Sequence, residues 1–107
     1  MTRAKPPRFF ISSDYLGWKV PEAYAEHARA WGDAYADPLP FFWISYRGTG
    51  KWHFELESFR RPRPTRNAWP TSIYRLKIGR YKTLETAIQA TYRYRRIIEG
   101  DGDAVAN

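Results

Sequence analysis

The 107-residue chain contains no cysteine and only two histidines, His27 and His53. The absence of cysteine excludes disulfides, thiol nucleophiles and thiolate zinc sites, and it is compatible with a reducing compartment. Two histidines alone are too few for a convincing metal site. We therefore expect neither a metal ion nor a cofactor.

Long apolar runs are also missing. The apolar run near the start of the chain spans only Phe9 to Ile11, which is shorter than the apolar core of a secretory signal. No segment approaches the roughly 20 apolar residues that a membrane-spanning helix needs. We expect a soluble, cytoplasmic protein with no membrane partner.

Negative charge is scarce relative to positive charge. The chain has 18 Lys and Arg against 11 Asp and Glu, a formal net charge of +7. From Ser58 to Ile98 eleven basic residues accompany a single acid, Glu85. A positive field of this kind attracts a polyanion, so nucleic acid is the leading partner class.

The length indicates one domain, which we place at residues 1–99. Residues 1–19 have two prolines and scattered basic residues and are predicted to form an N-terminal arm. Residues 100–107 consist of small residues and Asp and are predicted to be a disordered tail.

Helical spacing predicts a first helix that begins at Pro21 and stops at Asp37, before Pro38. Its apolar face would comprise four residues, Tyr24, Ala28, Trp31 and Tyr35. A second helix is predicted after Thr83, a favourable N-cap residue.

Three segments between the helices have the composition of strands: Phe41–Arg47, Lys51–Phe59 and Ile73–Tyr81. The first two are joined by the short turn Gly48-Thr49-Gly50. We therefore predict an α+β fold, with a three-stranded antiparallel sheet packed against a C-terminal helix and an additional N-terminal helix.

Alternation within the strands separates a core face from a solvated face. In the second strand Trp52, Phe54 and Leu56 are predicted to be core. The solvated face would carry Lys51, His53, Glu55 and Glu57 from the second strand and Arg75 and Lys77 from the third, with Arg80 added if a bulge occurs near Gly79.

A long loop rich in arginine and proline separates the last two strands. Its three prolines exclude a regular element, and its arginines are Arg60, Arg61, Arg63 and Arg66. Guanidinium groups bind phosphates in bidentate fashion, so these side chains are predicted to contact a nucleic-acid backbone. The alternative is a solvated loop that aids solubility. Trp69 in this loop could stack a base or cover the sheet edge.

Three blocks carry a resemblance to a known family: Tyr46-Arg47-Gly48, Lys51-Trp52-His53-Phe54-Glu55-Leu56, and Ile78-Gly79-Arg80-Tyr81-Lys82-Thr83-Leu84-Glu85-Thr86-Ala87. Together they resemble the AP2/ERF-like DNA-binding domain over about half of the chain. The last block is also similar to the arm-binding domains of phage-type integrases. The resemblance implies a sheet that lies in the DNA major groove, with Lys51, His53, Glu55, Arg75 and Lys77 facing the groove.

These observations predict a small non-catalytic protein that binds double-stranded DNA, of the kind used in regulation by phages or mobile elements. RNA remains an alternative to DNA. The predicted nucleic-acid-binding residues are Lys51, His53, Glu55, Arg60, Arg61, Arg63, Arg66, Arg75, Lys77 and Arg80.

The alternative is a protein–protein interaction module, for example a phage or mobile-element protein that binds and inhibits a host factor or nuclease. Two acids on the solvated face, Glu55 and Glu57, would repel phosphates, and abundant Trp and Tyr suit an interface. Catalysis is not expected, because His53 with Glu55 is the only visible acid–base pair and no nucleophile accompanies it.

Overall fold

A five-stranded mixed sheet organises the fold. Its strands are β1 Phe9–Ser12, β2 Ala28–Arg29, β3 Phe41–Thr49, β4 Trp52–Arg60 and β5 Tyr74–Tyr81. They lie in the order β2-β1-β3-β4-β5. The computed structural model describes residues 7–13, 18–34, 36–49, 52–61 and 73–99.

The pairing directions differ between the two halves of the sheet. β1 is parallel to both β2 and β3, whereas β3, β4 and β5 form an antiparallel meander. The predicted three-stranded antiparallel sheet is therefore wrong, because it lacks β1 and β2. The α+β class is confirmed.

β1 comes from the apolar run Phe9 to Ile11, inside the segment predicted to be an arm. All four residues of β1 are buried, and Ile11 has no exposed surface. A strand between two parallel neighbours and covered on both faces is typically apolar throughout, rather than alternating. The run supplies the first three residues of β1, which lies between β2 and β3.

The single N-terminal helix predicted from Pro21 to Asp37 is also wrong. This segment contains a 3₁₀ helix, Glu22–His27, then β2, then a single helical turn, α1, at Trp31–Ala34. The residues of the supposed apolar stripe separate, because Tyr24 packs beside α2 whereas Trp31 packs on the opposite side of the sheet. One continuous helix could not place these two side chains on different faces.

The sheet has a core on each face. On one face Phe42, Ile44 and Leu56 pack against helix α2, Leu84–Arg93. On the other face Phe41 and Trp43 pack with side chains from β1, β4 and α1: Phe10, Phe59, Ala34 and Trp31. α1 covers only part of this second face, so the remainder is left for the site described below.

Helix α2 forms as predicted. Thr83 is the N-cap, its hydroxyl accepts a hydrogen bond from the Thr86 backbone N–H, and the Thr86 hydroxyl reciprocates. Ala87 has no exposed surface, so the helix lies directly on the sheet. The helix ends at Arg93, and a 3₁₀ turn, Arg95–Ile97, follows it.

Candidate functional site

The face of the sheet opposite α2 carries two acids on β4 surrounded by basic residues of β3 and β5. Glu55 and Glu57 lie on this side because residues alternate along a strand and Phe59, two positions further, packs there with Trp31. Across the strand pairs, Glu55 lies opposite Arg80 and Glu57 lies opposite Lys77.

A bulge in the β4–β5 pair brings Arg80 to this side. Leu56 pairs with Gly79, but Glu57 pairs with Lys77, so β5 contains one extra residue, Ile78, at this point. Without the extra residue Arg80 would lie on the opposite face from Lys77. The bulge anticipated near Gly79 is thus present, and Ile78 packs against the core beside α2.

Arg75 holds Glu57 in place. The Arg75 Nε donates to Oε2 at 3.0 Å, and Nη2 donates to Oε2 at 2.7 Å and to Oε1 at 3.1 Å. The same guanidinium carbon lies 5.2 Å from the ring centre of Trp31 and 5.1 Å from that of Phe59. Arg75 is thus fixed by charge, hydrogen bonds and stacking together.

Glu55 is surrounded by three cations. Arg47 Nη2 donates to Oε1 at 2.6 Å, Arg80 Nε donates to Oε2 at 3.4 Å, and the Lys77 ammonium lies 4.0 Å from Oε2. Burial by itself would raise the pKa of Glu55, but the hydrogen bond and charge of Arg47, with Lys77 and Arg80, outweigh burial and lower that pKa below its ordinary value. Glu55 is therefore ionised.

The prediction that both acids lie exposed on a solvated face is wrong. Only 4% of Glu55 and 2% of Glu57 is exposed. The cations above them are accessible, with side-chain exposures between 43% for Arg47 and 68% for Lys77. We call these four side chains, Arg47, Arg75, Lys77 and Arg80, the cationic face.

A pocket of about 340 Å³ adjoins the cationic face. Trp31 of α1 and Trp43 of β3 form its aromatic part, with ring centres 5.2 Å apart in an edge-to-face arrangement. Its polar lining consists of Ser12, Ser45, Arg47, Glu57 and Arg75. The pocket therefore combines two indoles, two hydroxyls, one carboxylate and two guanidinium groups, and its lining comes from four neighbouring strands and α1.

The other predicted binding residues are more dispersed. His53 is exposed, on the same side of β4 as Glu55. Arg60 lies on the opposite face, where its guanidinium carbon is 5.1 Å from the ring centre of Tyr74, and Arg61 is exposed just beyond β4. Lys51, Arg63, Arg66 and Trp69 and the predicted tail, residues 100–107, lie outside the described residues.

Sequence reasoning missed five residues that line the pocket: Ser12, Trp31, Trp43, Ser45 and Arg47. The helical spacing predicts Trp31 on the apolar face of a helix, and Ser12 lies in the predicted arm. Trp43, Ser45 and Arg47 lie on the same side of β3, because residues alternate along a strand. The β3–β4 hairpin pairs Trp43 with Glu57 and Ser45 with Glu55. The short turn after Arg47 could have indicated this pairing, because a hairpin turn sets the register of its strands.

No cluster of three or more His, Asp or Glu side chains in the described ranges could hold a metal ion. None of the described helices combines the length and apolar character needed to cross a bilayer.

Comparison of the chain with protein-family models, with curated proteins and with solved structures gave no match. The resemblance to the AP2/ERF-like and integrase arm-binding domains therefore remains a prediction.

Proposed function

We propose that the protein is a non-catalytic nucleic-acid-binding protein and that the cationic face contacts the phosphates. The observation that carries this proposal is the layering of charge, in which four accessible cations lie above two buried carboxylates. The cluster has an excess of two positive charges, and these face solvent. A phosphate that approaches this surface meets guanidinium and ammonium groups first.

The buried acids also favour binding by reducing the cost of ordering the cations. A long basic side chain loses rotamer freedom when it contacts a phosphate. Arg75 is already held by Glu57 and by two aromatic rings, and Arg47 is held by Glu55. These two guanidinium groups are therefore largely preorganised, although each carboxylate also offsets part of the positive potential.

The non-catalytic part of the proposal is supported by the state of Glu55. A general base works best when its pKa lies near the operating pH. The surrounding cations lower the pKa of Glu55, so its carboxylate is a weak base at neutral pH. The Glu55 carboxylate is therefore poorly suited to act as a general base.

Duplex DNA is the partner predicted from the sequence, and the width of the sheet restricts how it could bind. Five strands span four spacings of about 4.8 Å, or roughly 19 Å. The major groove is only about 12 Å wide and admits a two-stranded ribbon. A duplex would therefore contact Lys77 and Arg80 on the β4–β5 ribbon, and contact by the loop arginines stays a prediction. We also propose that the protein is located in the cytoplasm.

The test is a salt series with the double variant Lys77→Ala, Arg80→Ala. Both side chains are accessible, and Glu55 keeps Arg47 as a partner, so the fold should be retained. Each phosphate contact that is lost should reduce the slope of log K against log salt concentration by about 0.9 for duplex DNA, or about 0.7 for single strands. Fluorescence anisotropy of labelled oligonucleotides gives the slope.

A matched control removes two exposed basic side chains from other surfaces, in the double variant Lys19→Ala, Arg93→Ala. Its net charge equals that of the test variant. The slope of the control should differ from the wild-type slope by less than about half of the change expected for one lost phosphate contact. Equal slopes for both variants would contradict a localised phosphate-binding face, and no binding of either nucleic acid at low salt would contradict the function itself.

A protein–protein interaction module is the second candidate, and an exposed apolar surface favours it. Ile73, Tyr74 and Leu76 are 37%, 43% and 37% exposed, and β5 is the outer strand on this side of the described sheet. Outer strands with apolar side chains are common sites of strand addition. If nucleic acid fails to bind, affinity capture with a Leu76→Lys variant as control would test this candidate.

A further inference from the structure

We propose that the pocket beside the cationic face receives one unpaired nucleobase, so that the protein binds single-stranded nucleic acid in preference to a duplex. This inference rests on the proposed function and specifies its ligand. The pocket volume of about 340 Å³ lies at the small end of the range for ligand sites, which begins near 300 Å³. A single base with its sugar is a ligand of this small class.

The lining of the pocket matches a base better than it matches a bare phosphate. Trp31 is half-buried and so offers accessible aromatic surface, whereas Trp43 lines the pocket with only 2% of its surface exposed. A base is planar and packs well against aromatic rings. A phosphate ion would gain nothing from either indole.

The polar groups of the pocket include both hydrogen-bond donors and hydrogen-bond acceptors. Both oxygens of Glu57 already accept from Arg75. Among the other polar groups of the lining, Arg47 only donates hydrogen bonds, and the hydroxyls of Ser12 and Ser45 can donate or accept them. The Watson–Crick edge of an amino-bearing base presents donors and acceptors side by side, and proteins read this edge in unpaired bases. In a duplex the Watson–Crick edge is paired with the opposite strand, so only an unpaired base can offer it to the pocket.

The position of the pocket also excludes a base that stays in a duplex. The lining runs from Ser12 on β1 to Arg75 on β5, across four neighbouring strands. A groove that admits a two-stranded ribbon cannot accommodate this width. A single strand that crosses the sheet could place one base in the pocket and its flanking phosphates on Lys77 and Arg80.

The experiment compares three labelled ligands of one length at one salt concentration: an oligonucleotide of cytosine, its duplex with guanine, and a strand of abasic sugar phosphates. The cytosine strand should bind the wild-type protein at least about tenfold more tightly than either other ligand, since stacking of one base on an aromatic ring is worth this much. Equal affinity for the cytosine and abasic strands would overturn the proposal, because both carry the same phosphates.

Two variants connect the preference to the pocket. Trp31→Leu removes the accessible indole, and Ser45→Leu narrows the pocket without changing its charge. Each should reduce the ratio of cytosine-strand affinity to abasic-strand affinity about tenfold. Ser45→Leu does not remove a ring that holds Arg75, so it should also leave affinity for the abasic strand within about twofold. The control Tyr92→Leu removes an exposed ring from α2, on the other side of the sheet, and should change neither affinity.

Circular dichroism of each variant identifies loss of fold. If Trp31→Leu unfolds, Ser45→Leu alone tests the pocket. Unchanged affinity for the cytosine strand in a folded variant would overturn the pocket as the base site. The proposed function fails separately, when no nucleic acid binds at low salt. Duplex binding that equals single-strand binding contradicts only the present inference.

Discussion

At the scale of single residues, the burial of Glu55 and Glu57 changes how the surface is interpreted. An acid at a surface normally counts against phosphate binding, because like charges repel. Here each carboxylate lies under the guanidinium or ammonium groups it binds. The acids thus set the positions of the cations, and solvent meets positive charge.

Glu55 should make the stability of the protein depend on pH. Its pKa is lower in the folded state than the ordinary value of 4.5, so the stabilising effect is complete above pH 4.5 and is lost as the pH falls through the folded pKa. Glu55→Gln should cost about 1 to 2 kcal/mol at pH 7, a modest value because the cations are partly exposed. The difference in unfolding free energy between the wild-type protein and Glu55→Gln should shrink toward pH 3.

Urea unfolding of both proteins across this pH range measures the difference. The exposed acid Glu22 provides a matched control, because Glu22→Gln should change stability by less than about 0.5 kcal/mol at any pH. A penalty for Glu55→Gln that is constant from pH 7 to pH 3 would contradict the assigned role of the ionised carboxylate.

At the scale of elements, α2 owes its start to the reciprocal hydrogen bonds between Thr83 and Thr86. Replacing Thr83 with Ala leaves backbone N–H groups of the first turn without a side-chain acceptor. The expected loss of unfolding free energy is about 1 kcal/mol. Thr83→Ser retains an accepting hydroxyl and should therefore retain most of the unfolding free energy that Thr83→Ala loses. A loss of similar size in both variants would show that the hydroxyl is not the cause.

The elements predicted correctly are those defined by local pattern. The alternation of β4 and the cap of α2 depend on residues a few positions apart, and β3, β4, β5 and α2 were all placed near their observed bounds. β1 and β2 were missed because parallel pairing joins segments distant in the chain and leaves no local pattern. The pocket was missed for a related reason, since Ser12 reaches it through β1 and Trp31 through a tertiary contact with Trp43.

At the scale of the whole molecule, the sheet is covered on both faces around β3, unlike a three-stranded sheet with one open face. Phe41 lies on the side away from α2 and is 1% exposed. Phe41→Ala should therefore cost about 3 to 5 kcal/mol of unfolding free energy, as expected for a buried core position. The control Ile73→Ala alters an exposed side chain and should cost less than about 0.5 kcal/mol.

Chemical denaturation measures both costs, and Phe41→Leu provides a milder change if the alanine variant does not fold. A loss below about 1 kcal/mol for Phe41→Ala would indicate a face open to solvent, as in the three-stranded arrangement. The same result would remove the second core that supports Trp31 and Trp43 at the pocket.

The position of β1 between β2 and β3 also determines when the sheet can be completed during folding. The β3–β4 and β4–β5 hairpins join neighbouring strands and can form early, whereas Phe9 pairs with Phe42 only after a long intervening segment has been ordered. Closing such a loop costs entropy before any contact repays it. The aromatic pocket would then be assembled last, so any intermediate that lacks β1 would carry the basic hairpins without the pocket that selects among their ligands.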